Sequence, residues 1–286
     1  MIIQQPPVSI QTALQNAAVF LESNSIQSPR LEAEILLAHI LNKDRMHLYR
    51  CPEEKINTEA LLLYEEILKK RADGMPTAYL RGKKDFFSLS FKVGPGVLIP
   101  RAETELLVEA GSQIFMPFQQ LSILDLGTGS GAILISLLKQ YPLSKGIGVD
   151  ISKNALNYAV ENARIHAVEE RAEFLEGNFF SALTQKEKFD LIVSNPPYIE
   201  SKKISTELRF EPGEAFNGGE DGFEAYRKIL TDLWFFLKKP GYCILEIDPL
   251  LKTILEKELK KYEKFYESLS IKKDFSGQER ALIIVK

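Results

Sequence analysis

At 286 residues, 45% of them hydrophobic and 26% charged, the chain can bury one large core or two unequal ones. A formal net charge of -3 argues against an extended nucleic-acid footprint, and no apolar run approaches membrane-spanning length. Met1-Ile2-Ile3-Gln4-Gln5-Pro6-Pro7 lacks the basic and apolar regions of a signal peptide, and the two distant cysteines, Cys51 and Cys243, suit a reduced compartment, so a cytoplasmic protein is expected.

The first part of the chain reads as helical. Ile10, Ala13, Leu14, Ala17, Ala18 and Leu21 recur at helical spacing behind Ser9, a capping residue. Pro29 suits the first turn of a second helix, where its missing N–H costs nothing, and Leu31, Ile35, Leu36, Ala38 and Leu41 continue it. Asn57 caps a third, which carries Leu61, Leu62, Tyr64, Ile67 and Leu68 and ends in Lys69-Lys70-Arg71, where the helix dipole favours cations. Gly74 and Pro76 then break the pattern. Asp85 to Val93 shows the partial alternation of a strand, Gly94-Pro95-Gly96 a turn, and Val97 to Pro100 a second extended piece. These features predict a helical domain over residues 1–73, a β-hairpin linker over 74–100 and a second domain over 101–286.

From Thr104 onward helix and strand alternate. A helix through Leu106, Leu107, Ala110 and Ile114 precedes a strand at 121–126. A helix at 130–140 precedes a strand ending at Val149-Asp150, and a helix at 153–166 precedes a strand at 172–175. The run Phe189 to Ser194 reads as a buried strand. It is followed by a long loop, a helix at 223–237, a strand at 242–247 and a last helix from Leu250 to about Tyr266. Two terminal strands, 268–273 and 281–285, read as a hairpin. The fold class expected is α/β: a mostly parallel, Rossmann-like sheet with a terminal antiparallel hairpin, plus the small amino-terminal helical domain.

Two stretches carry chemistry. Asp125-Leu126-Gly127-Thr128-Gly129-Ser130-Gly131 follows a strand and opens a helix, and its glycines let backbone amides approach a ligand at the sheet edge. Alone it is equally an ordinary strand–helix turn. Asp150 ends the next strand, where an acid accepts from both hydroxyls of a ribose, although the same residue could simply cap the helix after it. A dinucleotide turn would place its third glycine one position beyond Gly131. Asn195-Pro196-Pro197-Tyr198 separates the cases. Its prolines fix the backbone, and a target NH2 group can donate to the Asn195 side-chain oxygen and to the Pro196 carbonyl, with Tyr198 packing on the target's plane. Together these stretches indicate methyl transfer from S-adenosylmethionine to a nitrogen by in-line displacement. An amide nitrogen is a poor nucleophile, so positioning must supply much of the acceleration. Glu103 and Glu105 read as solvated first-turn carboxylates rather than bases. His39, His47 and His166 show no metal-ligand spacing with a cysteine or with one another, and no metal is expected.

At this point the chain resembles the release factor glutamine methyltransferases, the PrmC/HemK family. The matching pieces are Phe86-Phe87-Ser88-Leu89-Ser90-Phe91, Leu98-Ile99-Pro100-Arg101-Ala102-Glu103-Thr104-Glu105 and Leu124 to Gly131. To these are added Val193 to Ile199, Glu211-Pro212, Gly218-Gly219-Glu220-Asp221-Gly222, and Lys273 to Arg280. The resemblance implies a class I S-adenosylmethionine-dependent fold, and methylation of the glutamine side-chain amide in the Gly-Gly-Gln loop of class-1 peptide chain release factors. S-adenosylhomocysteine would be the product and a protein, not nucleic acid, the partner. It implies that Asn195, Pro196 and Tyr198 are catalytic, and that Asp125, Gly127, Thr128, Gly129, Gly131, Asp150, Ile151, Asn178, Phe179 and Asn195 hold the cofactor. Asn195, Pro196, Pro197, Tyr198, Phe87 and Arg101 would meet the substrate, and the amino-terminal domain would help dock it. Three positions depart from the family pattern: Ala102 replaces a proline, Asn178 an aspartate facing the adenine, and Asp248-Pro249 a glycine.

Three rival readings share parts of this pattern. A ribosomal-protein glutamine methyltransferase uses the same chemistry on another protein. An adenine-N6 methyltransferase suits the same tetrapeptide but wants a basic, aromatic recognition surface, and Lys202-Lys203 and Lys238-Lys239 are short clusters. A non-catalytic cofactor-binding module would not need an intact Asn195.

Overall fold

The computed structural model describes residues 7–184, 186–205 and 208–286. The segment read for a signal peptide therefore lies, but for Pro7, outside the described residues. The chain divides into two compact units, one ending at Lys83 and the other running from Lys84 to Lys286.

The first unit is built from β1 (Val8–Ser9), α1 (Ile10–Ser23), α2 (Pro29–Leu41), α3 (Arg45–Arg50), β2 (Lys55–Ile56), α4 (Thr58–Ala72) and α5 (Thr77–Arg81). The Ser9 hydroxyl accepts from the Thr12 amide and the Asn57 side chain from the Ala60 amide, so both capping residues act as their sequence positions require. Pro29 opens α2. Ile10, Leu14, Leu21, Leu36, Leu37, Tyr64 and Leu68 fill one core, in which the Tyr64 hydroxyl donates to the Ala33 carbonyl at 2.8 Å. Buried Glu34 joins α2 to α3. Burial pushes its carboxyl up, but donors from Tyr49, Arg45 and Arg30 outweigh that and hold its pKa below the usual value. The five- and six-residue helices α5 and α3 and the two-residue strands are too short to leave a periodic pattern, which is why sequence reading missed them.

A hairpin of β3 (Lys83–Phe86) and β4 (Leu89–Lys92) follows. Its two turn residues, Phe87 and Ser88, both have positive φ (47° and 60°), as a type I′ hairpin turn requires. The sequence pattern predicts one strand over 85–93 and a turn at 94–96. Without the glycine or asparagine that usually marks such a turn, the bend was invisible.

The second unit alternates α6 (Glu105–Ile114), β5 (Ser122–Leu126), α7 (Ala132–Gln140), β6 (Lys145–Asp150), α8 (Lys153–Ile165), β7 (Ala172–Glu176), β8 (Phe189–Ser194), α9 (Glu224–Phe236), β9 (Leu237–Glu246), α10 (Lys252–Lys260), β10 (Ser268–Lys273) and β11 (Glu279–Val285). The seven-stranded sheet has the order β10-β11-β9-β8-β5-β6-β7. Strands β5 to β9 run parallel, while β11 is antiparallel to both β9 and β10. One apolar core, with Leu126, Ile192, Tyr226, Leu233 and Leu245, and a second, with Ile123, Leu134, Leu137, Val193 and Ile244, draw on alternate residues of the same strands. This is a doubly wound α/β sheet. Strand β9 begins five residues earlier than the sequence suggested. Pro240, a breaker in most strands, sits in the irregularity where pairing skips from Phe189–Leu237 to Leu191–Tyr242. No helix among the described residues is long and apolar enough to cross a membrane.

Candidate active site

Chain order reverses in the sheet between β5 and β8, and ligands of such sheets bind beyond the carboxyl ends of the strands at that point. The register sets Leu126 beside Ser194, whose hydroxyl donates to the Leu126 carbonyl at 2.6 Å. The next residues, Gly127 and Asn195, therefore leave the sheet together. On the other side of β5, Leu126 pairs with Val149, so Asp150 ends the adjoining strand.

Gly127 has φ +73°, where a side chain would be strained, and it and Thr128 both donate to the Val149 carbonyl. The turn is braced from two sides. Asp125, fully buried, accepts from the Thr128 hydroxyl at 2.7 Å and the Leu134 amide at 3.3 Å, and burial pushes its carboxyl up to about 7. Asp150 accepts from the Gly129 amide at 2.8 Å through one oxygen and from the Ser152 amide at 2.9 Å through the other. Burial raises its pKa too, with a contribution from nearby Glu214. Gly131 packs α7 against α8: a Cβ there would meet Ile135 at 2.8 Å and Ala159 at 3.3 Å.

A cavity of about 490 Å3 opens beside this turn. Of the residues singled out from sequence, Gly127, Gly129, Asp150, Ile151, Asn178, Phe179, Asn195 and Pro197 line it. Asp125, Thr128 and Gly131 do not; they shape the turn from beneath. Pro196, Tyr198, Phe87 and Arg101 also lie off the cavity wall. Phe179 adopts φ +52°, a conformation costly for a bulky residue, and Asn178 caps the short turn that holds it through a reciprocal pair with Ser181. Sequence reading missed the rest of the wall: Gly96 to Leu98 on one side, and Glu214, Asn217, Glu220, Glu224 and Lys228 on the other. The elements carrying Gly96 to Leu98, Glu224 and Lys228 are legible as a turn, an extended piece and a helix, and Glu220 lies in a quoted motif, but nothing in the sequence shows that these residues face one cavity.

Asn195 is half-buried and its side-chain NH2 donates to the Thr104 hydroxyl at 3.1 Å. Tyr198 packs on the core with its hydroxyl toward Glu246 at 3.4 Å, and burial, with the Glu246 charge, raises its pKa. The segment beyond is pinned by backbone bonds from Ile199 to Phe216 and from Gly218 to Ile199, each 2.8 Å. Gly222 is obligatory there, since a Cβ would stand 2.5 Å from the Tyr198 carbonyl oxygen.

The amino-terminal part, residues 12–82, matches the PrmC N-terminal domain, and residues 118–281 match a methyltransferase domain. A release factor glutamine methyltransferase of Rhodopirellula baltica is 35% identical, with 98% of this chain and 97% of that protein covered. One of Vibrio cholerae is 36% identical over 96% of each. The chain belongs to the release factor glutamine methyltransferase family. Among solved structures, a methyltransferase of Pyrococcus furiosus (TM-score 0.53, 19% identity, 70% of this chain and 90% of that one) shares the fold. So does the N-terminal domain of human METTL16 (TM-score 0.51, 17% identity, 94% and 93%).

The positions at which this member departs from the family pattern have local explanations. Ala102, itself exposed, opens a single turn, Ala102–Thr104, whose last residue is buried. Asp248 accepts from the Leu250 amide at 2.8 Å and Pro249 starts the turn that follows, so the Asp-Pro pair is a capped helical start. Arg101, expected at the substrate, is paired with Glu211 at 2.6 Å, and the same carboxylate accepts from the Ile99 amide at 2.9 Å. Phe87 packs against the second core while its amide donates to Glu105 at 2.9 Å; Glu103 is exposed. Glu211→Ala leaves a buried amide and a guanidinium without their acceptor. A loss of about 1–3 kcal/mol is expected, read as a lower thermal midpoint.

In the first unit His47, Cys51 and Glu54 bring ligand atoms within 4.8 Å of one another, a grouping that the spacing of histidines and cysteines did not suggest. The His47 ring nitrogen meets the Glu54 carboxylate at 2.8 Å, so a hydrogen bond joins these two, while Cys51 is brought beside His47 by the helical turn in which its amide donates to the His47 carbonyl at 2.9 Å.

Proposed function

We propose that the chain transfers the methyl group of S-adenosylmethionine to the side-chain amide nitrogen of the glutamine in the Gly-Gly-Gln loop of class-1 peptide chain release factors, and that its amino-terminal unit helps dock that protein. The observation that carries this reading is the placement of Asn195 beside the glycine turn, with its NH2 committed to Thr104 and its oxygen left as the acceptor for a planar amide.

The cavity fits the cofactor. A Cβ at Gly129 would have nothing within 4 Å and would project into open space on the cavity wall, so the turn is kept bare where a ligand must lie close. Both oxygens of Asp150 retain a lone pair beyond their backbone bonds, as two ribose hydroxyls require. Ile151 and Phe179 offer apolar faces to an adenine, and Glu214, Glu220 and Glu224 favour a cationic ligand. Bound S-adenosylmethionine supplies an activated methyl on a sulfonium sulfur. The protein's part is to hold the glutamine amide still and dry: Asn195 Oδ1 and the Pro196 carbonyl accept its two N–H bonds, and Tyr198 flanks its plane.

The test is incubation with a purified, unmethylated release factor and mass spectrometry of its Gly-Gly-Gln peptide. One added methyl on that glutamine is expected. Tight cofactor binding without transfer would overturn the substrate, and the ribosomal-protein and adenine acceptors would then be tried.

A further inference from the structure

We infer that Glu246, acting through Thr104, is a positioning device that fixes which way round the Asn195 amide stands. This rests on the functional reading above and extends it to two residues that do not line the cavity. The Thr104 hydroxyl donates its one proton to Glu246 Oε2 at 2.6 Å, so toward Asn195 it can only accept. The Asn195 NH2 meets it at 3.1 Å. The amide is thereby forced to present Oδ1, not NH2, to the target. If Glu246 no longer accepts, the hydroxyl is free to donate to Asn195 Oδ1. The amide can then turn over and set a donor against the NH2 of the incoming glutamine.

Apart from Thr104, the hydroxyl directed at the Glu246 carboxylate is that of Tyr198, at a long 3.4 Å. Glu246 is 1% exposed and ends β9 directly after the apolar run Cys243-Ile244-Leu245. Burying a charged group is costly unless it is paired, and structural needs alone would be met by an apolar residue. Its surroundings are mixed. Burial pushes its carboxyl up to about 7, Thr104, Arg280 and Tyr198 oppose that, and Glu103 adds to it. Asp248 acts on the neighbouring tyrosines, and the Tyr226 hydroxyl donates to the main-chain carbonyl of Glu246 at 2.8 Å. With burial pushing the carboxyl up to about 7, the relay is complete above that pH; below it, a proton on Oε2 turns the carboxyl into a donor to Thr104 and frees the threonine hydroxyl to donate to Asn195. The sign follows: the acceptor form of Glu246 grows as pH rises, and with it the correctly turned Asn195. Glutamine itself does not titrate in this range.

The experiment measures kcat against pH, with an unmethylated release factor as substrate, for the wild-type chain, Thr104→Val and Thr104→Ser. Cofactor affinity is read by calorimetry in parallel. For the wild type, kcat is expected to rise about tenfold between pH 6 and pH 8, following the ionised fraction of a group titrating at about 7. Thr104→Val, close in shape, is expected to lose about tenfold or more in kcat at pH 8 and to lose the pH dependence, with cofactor affinity within threefold of wild type. Thr104→Ser, which restores the hydroxyl, is expected to recover both rate and pH dependence. A merely structural role for Thr104 would lower activity evenly across pH. Transfer by the wild type with an equally active Thr104→Val, or a pH dependence that survives in Thr104→Val, overturns this inference alone. No transfer by the wild type overturns the functional reading, and this inference with it.

Discussion

Asn195→Ala is expected to lower kcat by about 100- to 1000-fold, the usual loss when one preorganised hydrogen-bonding group is removed from an active site. Cofactor affinity is expected to stay within a few-fold. The two effects separate because of where the side chain points. Its NH2 is tied to Thr104, and the backbone that carries it continues β8, whose register against β5 does not depend on the amide. Truncation therefore leaves the strand end and the glycine turn in place but removes the acceptor for one N–H of the target. An amide nitrogen has its lone pair delocalised into the carbonyl, so orientation carries much of the rate, and loss of a single contact falls on kcat rather than KM. Single-turnover methylation of the release factor at saturating cofactor measures it. A variant turning over within threefold of wild type would show that the tetrapeptide does not hold the reacting amide.

The parts of this site that were legible in the sequence are those in which local conformation and chemistry coincide. Gly127 and Gly131 stand where positive φ or helix contact forbids a side chain, and Asn195-Pro196-Pro197-Tyr198 is compact enough to be read as a unit. Asp150 was legible as the end of a strand. The family resemblance implies Asp125 among the cofactor residues. The structure places it beneath the turn, fully buried, with its work done on Thr128 and Leu134. What could not be read depends on topology. Thr104 and Glu246 are 142 residues apart, and Ile99 and Glu211 are 112 apart; only the winding of the sheet brings each pair together. One signal was present for Glu246: a carboxylate inside an apolar strand pattern is an anomaly that asks for a partner. The same limit applied to the fold. Long periodic helices and alternating strand–helix order were plain, whereas α5, the Phe87-Ser88 turn and the passage of β9 through Pro240 contradict local propensity and are held by tertiary context.

Asp150→Asn is expected to weaken cofactor binding by about ten- to a hundredfold while leaving kcat at saturating cofactor within about threefold. The carboxylate has two tasks at once. Its oxygens accept from the Gly129 and Ser152 amides, and they face the cavity where ribose hydroxyls would donate. An asparagine of the same size keeps one oxygen but turns an NH2 toward one of those backbone donors, so either the glycine turn or the helix start loses its bond. Hydrogen bonds to a charged acceptor contribute about 1.5–3 kcal/mol each, which corresponds to the stated range of affinity. The position is already poised against the charged form, since burial raises the Asp150 pKa, and donors are what keep it ionised. Cofactor binding should for the same reason weaken as pH falls toward that raised value in the wild type, and should not in Asp150→Asn. Titration calorimetry with S-adenosylhomocysteine at several pH values reads both. An unchanged Kd in the variant would mean that Asp150 is no more than a brace for the turn. The ribose contact would then have to come from elsewhere on the cavity wall, with Glu214 the nearest candidate by its charge coupling to Asp150.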